Sequence, residues 1–220
     1  MRNIAILVAL SGAGLTGCGS KTDANERNFG AAMTHYFDRK GALCLNINRW
    51  PIDLSEMDFR LQKTMEAGSV SKMAALEAAG LVRGEDTEVD RVGMWGKPTG
   101  AKTRIRRYTL SDDAEPFVQE KQVASTGLNG TSIDKQVDLC WGKKALGEIV
   151  KWEGPMKFGD YQVADITYTY EVKDLAGWAR APEVQAAFPA LKSVLDGAGS
   201  ERRRHTVKLT SEGWEANGLD

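Results

Sequence analysis

Histidine and cysteine are scarce in this chain, at two and three among 220 residues. Two histidines are too few for most His-built metal centres or triads, and three cysteines are too few for a disulfide scaffold. No charge of one sign dominates: 29 Lys and Arg stand against 30 Asp and Glu, so the composition asks for no nucleic acid. Catalytic signatures are missing too. There is no Gly-x-Ser-x-Gly elbow, no phosphate loop, no His-Glu-x-x-His and no Cys-x-x-Cys. What is present is 42% apolar and 27% charged, an ordinary globular composition long enough to bury a core. Collagen-like, disordered and multi-span membrane classes are excluded on that ground.

The N-terminus departs from this average. Arg2 precedes the apolar run Ile4 to Leu10, which continues through small residues to Leu15. That is a secretory h-region, too short to span a bilayer as a mature helix. The run ends in Leu15-Thr16-Gly17-Cys18, a tetrad that resembles the bacterial lipobox, in which cleavage precedes a cysteine acylated on its thiol. The resemblance implies that residues 1–17 are a signal peptide and that Cys18 carries the lipid (palmitate among its chains). Two ester-linked chains suffice for stable membrane attachment. Gly19 follows the cysteine where an inner-membrane protein would carry Asp, so the implied address is the periplasmic face of an outer membrane. The alternative is a buried helix ending in a chance cysteine, for which Gly12, Gly14 and Gly17 are poor material.

Residues 18–28 show no apolar periodicity and read as the lipidated cysteine with a flexible tether. Phe29, Ala32, Met33, Tyr36 and Phe37 then fall at helical spacing, and Gly41 stops the helix. His35 flanks this stripe with Arg39, not a second ligand, at i+4, so no metal site is implied. Ala42 to Ile47 reads as a strand. Ser55 caps a helix running through Met57, Leu61 and Met65, and a second helix from near Ser71 buries Met73 and Leu76 before Gly80. A polar excursion from Gly84 to Gly100 returns as the alternating strand Arg104 to Leu110, the signature of a long hairpin. In the second half, Ala145 to Trp152 and Tyr161 to Val172 read as an antiparallel pair bounded by Gly147, Gly154-Pro155 and Gly159, with one face of the latter in and one wet. Pro189 breaks the helical turns that follow Pro182. The expected class is α+β, with short antiparallel strands and helices packed on one side.

Several short motifs recur. Leu139-Cys140 echoes Leu43-Cys44, and Thr206 to Gly213 echoes Arg107 to Ala114. The near-constant spacing of these echoes suggests duplicated halves, 29–124 and 135–220, with a joint at 125–134; chance similarity is the alternative. The unit Leu76, Gly80-Leu81-Val82, Tyr108, Leu110, Ser111, Ala114 resembles the C-terminal part of a winged helix, which implies a helix feeding a two-stranded wing. Lys72 is the sole cation on the would-be reading helix, so the resemblance carries shape without DNA binding.

Candidate site residues are few. Trp95, in a Gly-rich stretch, is the tryptophan expected to be exposed. With Arg104, Arg106 and Arg107 and the matching Arg202, Arg203 and Arg204 it makes a candidate contact site for an envelope protein or an anionic glycan. A solvated hairpin edge is the plainer reading of the arginines. Once Cys18 is acylated, Cys44 and Cys140 are left as a disulfide candidate in an oxidising compartment, or as two small buried fillers. His205 has no carboxylate orienter nearby in sequence, and Glu85-Asp86 and Asp112-Asp113 read as solvated pairs. No cofactor is implied. The sequence therefore favours a non-catalytic, lipid-anchored binding module of the cell envelope, with an envelope enzyme such as a glycan hydrolase as the alternative.

Overall fold

Asn25 opens the first helix: its side-chain oxygen accepts the Asn28 N–H at 2.9 Å, satisfying one of the donors that every helix start leaves free. Residues 20–62, 68–93, 97–127 and 130–219 are described in the computed structural model. Helix α1 spans Glu26–Lys40 and buries Phe29, Ala32, Met33 and Phe37, while His35 is exposed. Gly41 ends it where a β-carbon would strike the carbonyl oxygens of Phe37 and Lys144.

The stretch expected to be a loose tether is fastened from Ser20 onward. The Asn28 side-chain amide donates to the carbonyls of Ser20 and Asp23, both at 2.8 Å, and the Trp214 indole N–H donates to those of Thr22 and Asp23, both at 3.1 Å. Polar residues without periodicity made this stretch look unstructured, yet from Ser20 on its Asx and hydroxyl groups build a turn by local hydrogen bonds.

The main sheet contains β1 (Ala42–Cys44), β5 (Val118–Gly127), β6 (Gly130–Phe158), β7 (Tyr161–Lys173), β8 (Arg203–Thr210) and β9 (Gly213–Ala216). Its order is β1-β6-β7-β8-β9, with β5 also paired to β6, and every pairing is antiparallel. A second sheet, ordered β2-β4-β3, is made by β2 (Ile52–Ser55), β3 (Val82–Val92) and β4 (Pro98–Leu110). Helices α2 (Glu56–Leu61) and α3 (Ser69–Ala78) lie between β2 and β3 in the chain, and α4 (Pro182–Ala187) and α5 (Pro189–Gly197) between β7 and β8. The fold is thus α+β with antiparallel strands. Among the described residues no helix is long and apolar enough to cross a membrane.

Two cores hold it together. In one, α1 lies on the main sheet through Phe29, Met33, Phe37, Ile166, Tyr170 and Val207. In the other, Met73 and Leu76 of α3 meet Leu139 and Trp141 of β6 and Val184, Phe188 and Leu191 of the α4–α5 pair. Each such side chain, fully buried, contributes about 1.5–3 kcal/mol. Tyr170 links the two regions, because its hydroxyl donates to the Val194 carbonyl of α5 at 2.9 Å.

Several local expectations are corrected. The strand expected over Ala42 to Ile47 ends at Cys44, since Asn46 and Asn48 take left-handed backbone angles (φ 60° and 63°). Of the glycines expected to bound short strands, Gly159 does so, in the turn between β6 and β7, whereas β6 runs 29 residues and absorbs Gly147 and Gly154 as irregularities in its register with β7, as bulges do. Thr167 and Thr169, expected on a wet face, are buried. The stretch 125–134, read as a joint, falls in the β5–β6 hairpin, with Ser125 opposite Ser132. The halves 29–124 and 135–220 interlock, since β1 pairs with β6 and α3 packs on α4.

The first half holds a helix, a glycine turn (Gly80, φ 78°) and a two-stranded hairpin. In the second half α5, a glycine turn (Gly199, φ 78°) and the β8–β9 hairpin follow in the same order, but β8 also pairs with β7 and so joins the main sheet.

Candidate functional site

The β1–β6 register sets Cys44 opposite Cys140. The two are joined by a disulfide, with Cα atoms 3.8 Å apart. Gln119, on β5, brings its side-chain oxygen to 3.5 and 3.4 Å from the two sulfurs. The turn after β1 is held by Asp138, which is 6% exposed. Its carboxylate accepts the backbone N–H groups of Asn46 (2.8 Å), Ile47 (3.2 Å) and Leu139 (2.8 Å). A buried charge is tolerated when donors surround it in this way.

Beside this anchored strand opens a cleft of about 300 Å³. Leu43, Leu45, Trp141, Phe188, Leu191 and Val194 give it apolar walls, and Lys72 and Lys121 are its charged residues. Lys72 Nζ stands 5.6 Å from the centre of the Phe188 ring. Among the described residues no carboxylate lines the cleft, and neither lysine has an ion-pair partner. β1 is the terminal strand of its sheet, so the cleft runs along a strand edge. That combination suits an extended chain with apolar side chains and a negative charge: backbone pairs with the strand edge, side chains fill the groove, and the lysines meet the charge.

The two arginine clusters of the expected contact site lie in different sheets. Arg104, Arg106 and Arg107 lie on β4, whereas Arg203 and Arg204 lie on β8 in the other sheet, with Arg202 exposed just before it. Nearly all of them are already neutralised. Arg107 makes two 2.7 Å hydrogen bonds to the Asp53 carboxylate, Arg106 meets Glu77 at 3.0 Å, and Arg104 meets Glu88 at 3.8 Å. Arg203 pairs with Glu201 at 2.8 Å, and Arg204 lies 3.5 Å from Asp165. The clusters brace sheets across strands, so they offer little net charge to an anion. Trp95 and Cys18 lie outside the described residues. Of the other tryptophans, Trp141 and Trp214 are buried, Trp50 and Trp178 half-buried, and Trp152 is 38% exposed. His205 sits on β8 with Nε2 2.9 Å from the Asn217 carbonyl.

A second cleft, of about 390 Å³, lies between α2 and the β3–β4 hairpin. Of its three carboxylates, Asp86 and Glu88 face Arg106 and Arg104, and Glu56 pairs with Arg60. Elsewhere, hydrogen bonds from Arg107 hold the Asp53 carboxyl below its ordinary range, and the Ser55 hydroxyl and N–H do the same for Asp58. Burial pushes the Lys144 ammonium down, with Arg203 adding to the effect; its Nζ rests 4.1 Å from the centre of the Tyr170 ring.

Asp53 and Asp58 both contribute to the acid behaviour. Each binds its proton less readily in the folded chain than in the unfolded one, so its stabilisation is complete above the ordinary value of 3.8 and is lost as pH falls through the depressed value. Urea midpoints between pH 6 and pH 2 should therefore drop on the acid side. Asp53→Asn should start lower and fall less steeply, and an unchanged slope would contradict the assignment.

Asp138 and Lys121 carry part of the cleft and its support, and sequence reasoning passed over both. A lone Asp before Leu139-Cys140 gives no local signal, and Lys121 meets the cleft only through tertiary packing. No family model, no curated protein and no solved structure matches this chain.

Proposed function

We propose that this protein is a lipid-anchored module of the cell envelope, held through Cys18 at the periplasmic face of the outer membrane. It binds an extended, acidic segment of an envelope partner in the cleft beside β1. The anchor is supported by the ordered succession of Arg2, the apolar run and Leu15-Thr16-Gly17-Cys18. The binding role rests on one observation, an apolar cleft along a terminal strand whose charges are two lysines without carboxylate partners among the described residues. Electrostatic attraction of this kind selects a partner and speeds its arrival more than it adds affinity.

A glycan hydrolase needs a carboxyl raised toward neutrality as its acid. Among the described residues, each carboxyl with a resolved displacement moves the other way: Asp38 beside Lys143, Asp53 beside Arg107, Asp58 beside Ser55 and Glu153 beside Lys151. Those four carboxyls are held in the ionised form and do not suit the role of that acid.

The test follows the two parts in intact cells producing the protein with a photo-cross-linking residue at Ala190 in the cleft wall. Labelled palmitate should enter the parent chain and not Cys18→Ala. Cross-linking should give one discrete adduct that Lys72→Glu with Lys121→Glu abolishes. Palmitate in the Cys18→Ala chain would sink the anchor, and an adduct indifferent to charge reversal would sink the binding role.

A further inference from the structure

We infer that the end of the main sheet bearing the β6–β7 turn rests on the lipid surface, with Met156 and Tyr161 in the layer between headgroups and acyl chains. The inference rests on the lipidation of Cys18 and adds an orientation to it.

The length of the link decides the matter. Only Gly19 separates Cys18 from Ser20, and Ser20 is fastened to the fold through Asn28. Two residues reach at most roughly 7 Å. A domain on so short a leash does not swing free of the bilayer, so the surface around Ser20 becomes the contact surface.

Strand register identifies that surface. Val163 of β7 stands opposite Lys208 of β8, so Thr210 lies near the level where β7 begins at Tyr161. Thr210 in turn pairs with Gly213 of β9, and a β-carbon on Gly213 would lie 3.1 Å from the Lys21 carbonyl oxygen. The attachment point and the β6–β7 turn therefore share one end of the sheet. Helix α1 agrees: its last turn meets β6 at Lys144, whose N–H donates to Gly41 at 2.7 Å, and its first turn meets β6 farther along, with the Phe29 ring 5.5 Å from that of Trp152.

The side chains at this end suit an interface. Met156 is 51% exposed and Tyr161 is 63% exposed. Lys157 stands opposite Gln162 on the same hairpin, and Lys21 precedes the turn to α1. In water the exposed apolar area is unfavourable. At a bilayer surface Tyr takes the headgroup level, Met enters the acyl boundary, and lysine stems lie along it with their ammonium groups in the polar layer. The cleft beside Cys44 then faces away, since from Trp152 back to Cys140 β6 runs on the order of 40 Å. An anchored protein thus presents its binding edge outward from the membrane.

The full chain, isolated with its lipid from producing cells, is reconstituted into phosphatidylethanolamine and phosphatidylglycerol vesicles. A polarity-sensitive fluorophore is attached at Met156→Cys, at Tyr161→Cys or at Val92→Cys; Val92 lies at the end of β3 in the other sheet and is also exposed. Emission at 156 and 161 should shift to the blue and be quenched by lipids brominated on their acyl chains, while emission at 92 does neither. Failure of quenching at 156 and 161, with the lipid mass on Cys18 confirmed, overturns the orientation and leaves the anchor standing. Equal quenching at 92 does the same. Absence of the lipid mass overturns both.

Discussion

Asp138→Ala is expected to lower the unfolding free energy by about 3–5 kcal/mol, the cost of leaving several buried backbone donors without an acceptor. The carboxylate takes three backbone N–H groups, those of Asn46, Ile47 and Leu139. Alanine leaves all three donors in a dry site, at about 1–3 kcal/mol for each one that water cannot reach. The loss also spreads. Asn46 and Asn48 hold left-handed angles that no longer have an electrostatic reason to persist, and the Val137 N–H, bonded to the Asn48 carbonyl at 3.3 Å, loses its partner as the turn relaxes. Asp138→Asn separates charge from shape, since its amide oxygen still accepts while its NH₂ faces donors. It should fall between parent and alanine. Urea denaturation followed by tryptophan fluorescence measures both, and a loss below about 1 kcal/mol for alanine would mean that water replaces the carboxylate.

This aspartate marks where sequence reading stops. Features set by a residue and its chain neighbours were legible: the apolar stripe of α1, the Ser55 cap, the left-handed Gly80 that turns α3 into β3, the break at Pro189. Features set by partners distant in sequence were not. The arginines of β4 looked like a basic patch because Asp53, which neutralises Arg107, lies 54 residues away. Gly147 and Gly154 looked like strand ends because a bulge is defined by the partner strand, here β7, and leaves no mark of its own. The cleft is the extreme case, since β1, α3, β5 and α5 each supply part of it. Its residues come together only through tertiary packing.

Reducing the Cys44–Cys140 disulfide should cost about 2–4 kcal/mol, mostly through the unfolded chain. The bond spans 96 residues of sequence, so cutting it frees a long loop in the denatured ensemble, where the entropic gain is greatest. The folded state has reasons to survive the loss. β1 stays paired with β6, with the Leu45 N–H donating to the Leu139 carbonyl at 2.9 Å, and Asp138 still grips the turn beyond it. Gln119 adds a specific offset: its oxygen, in contact with both sulfurs, accepts from the two thiols once they carry protons. Reduction should therefore lower the urea midpoint and raise the denaturant slope, because the freed chain exposes more surface on unfolding. The circular dichroism of the folded state should hardly change. Gln119→Leu should leave the oxidised protein nearly as stable and make the reduced form weaker than reduced parent, since its thiols then have no acceptor. A reduced protein as stable as the oxidised one, with unchanged slope, would mean that the denatured chain is already confined near β1 and β6 without the bond.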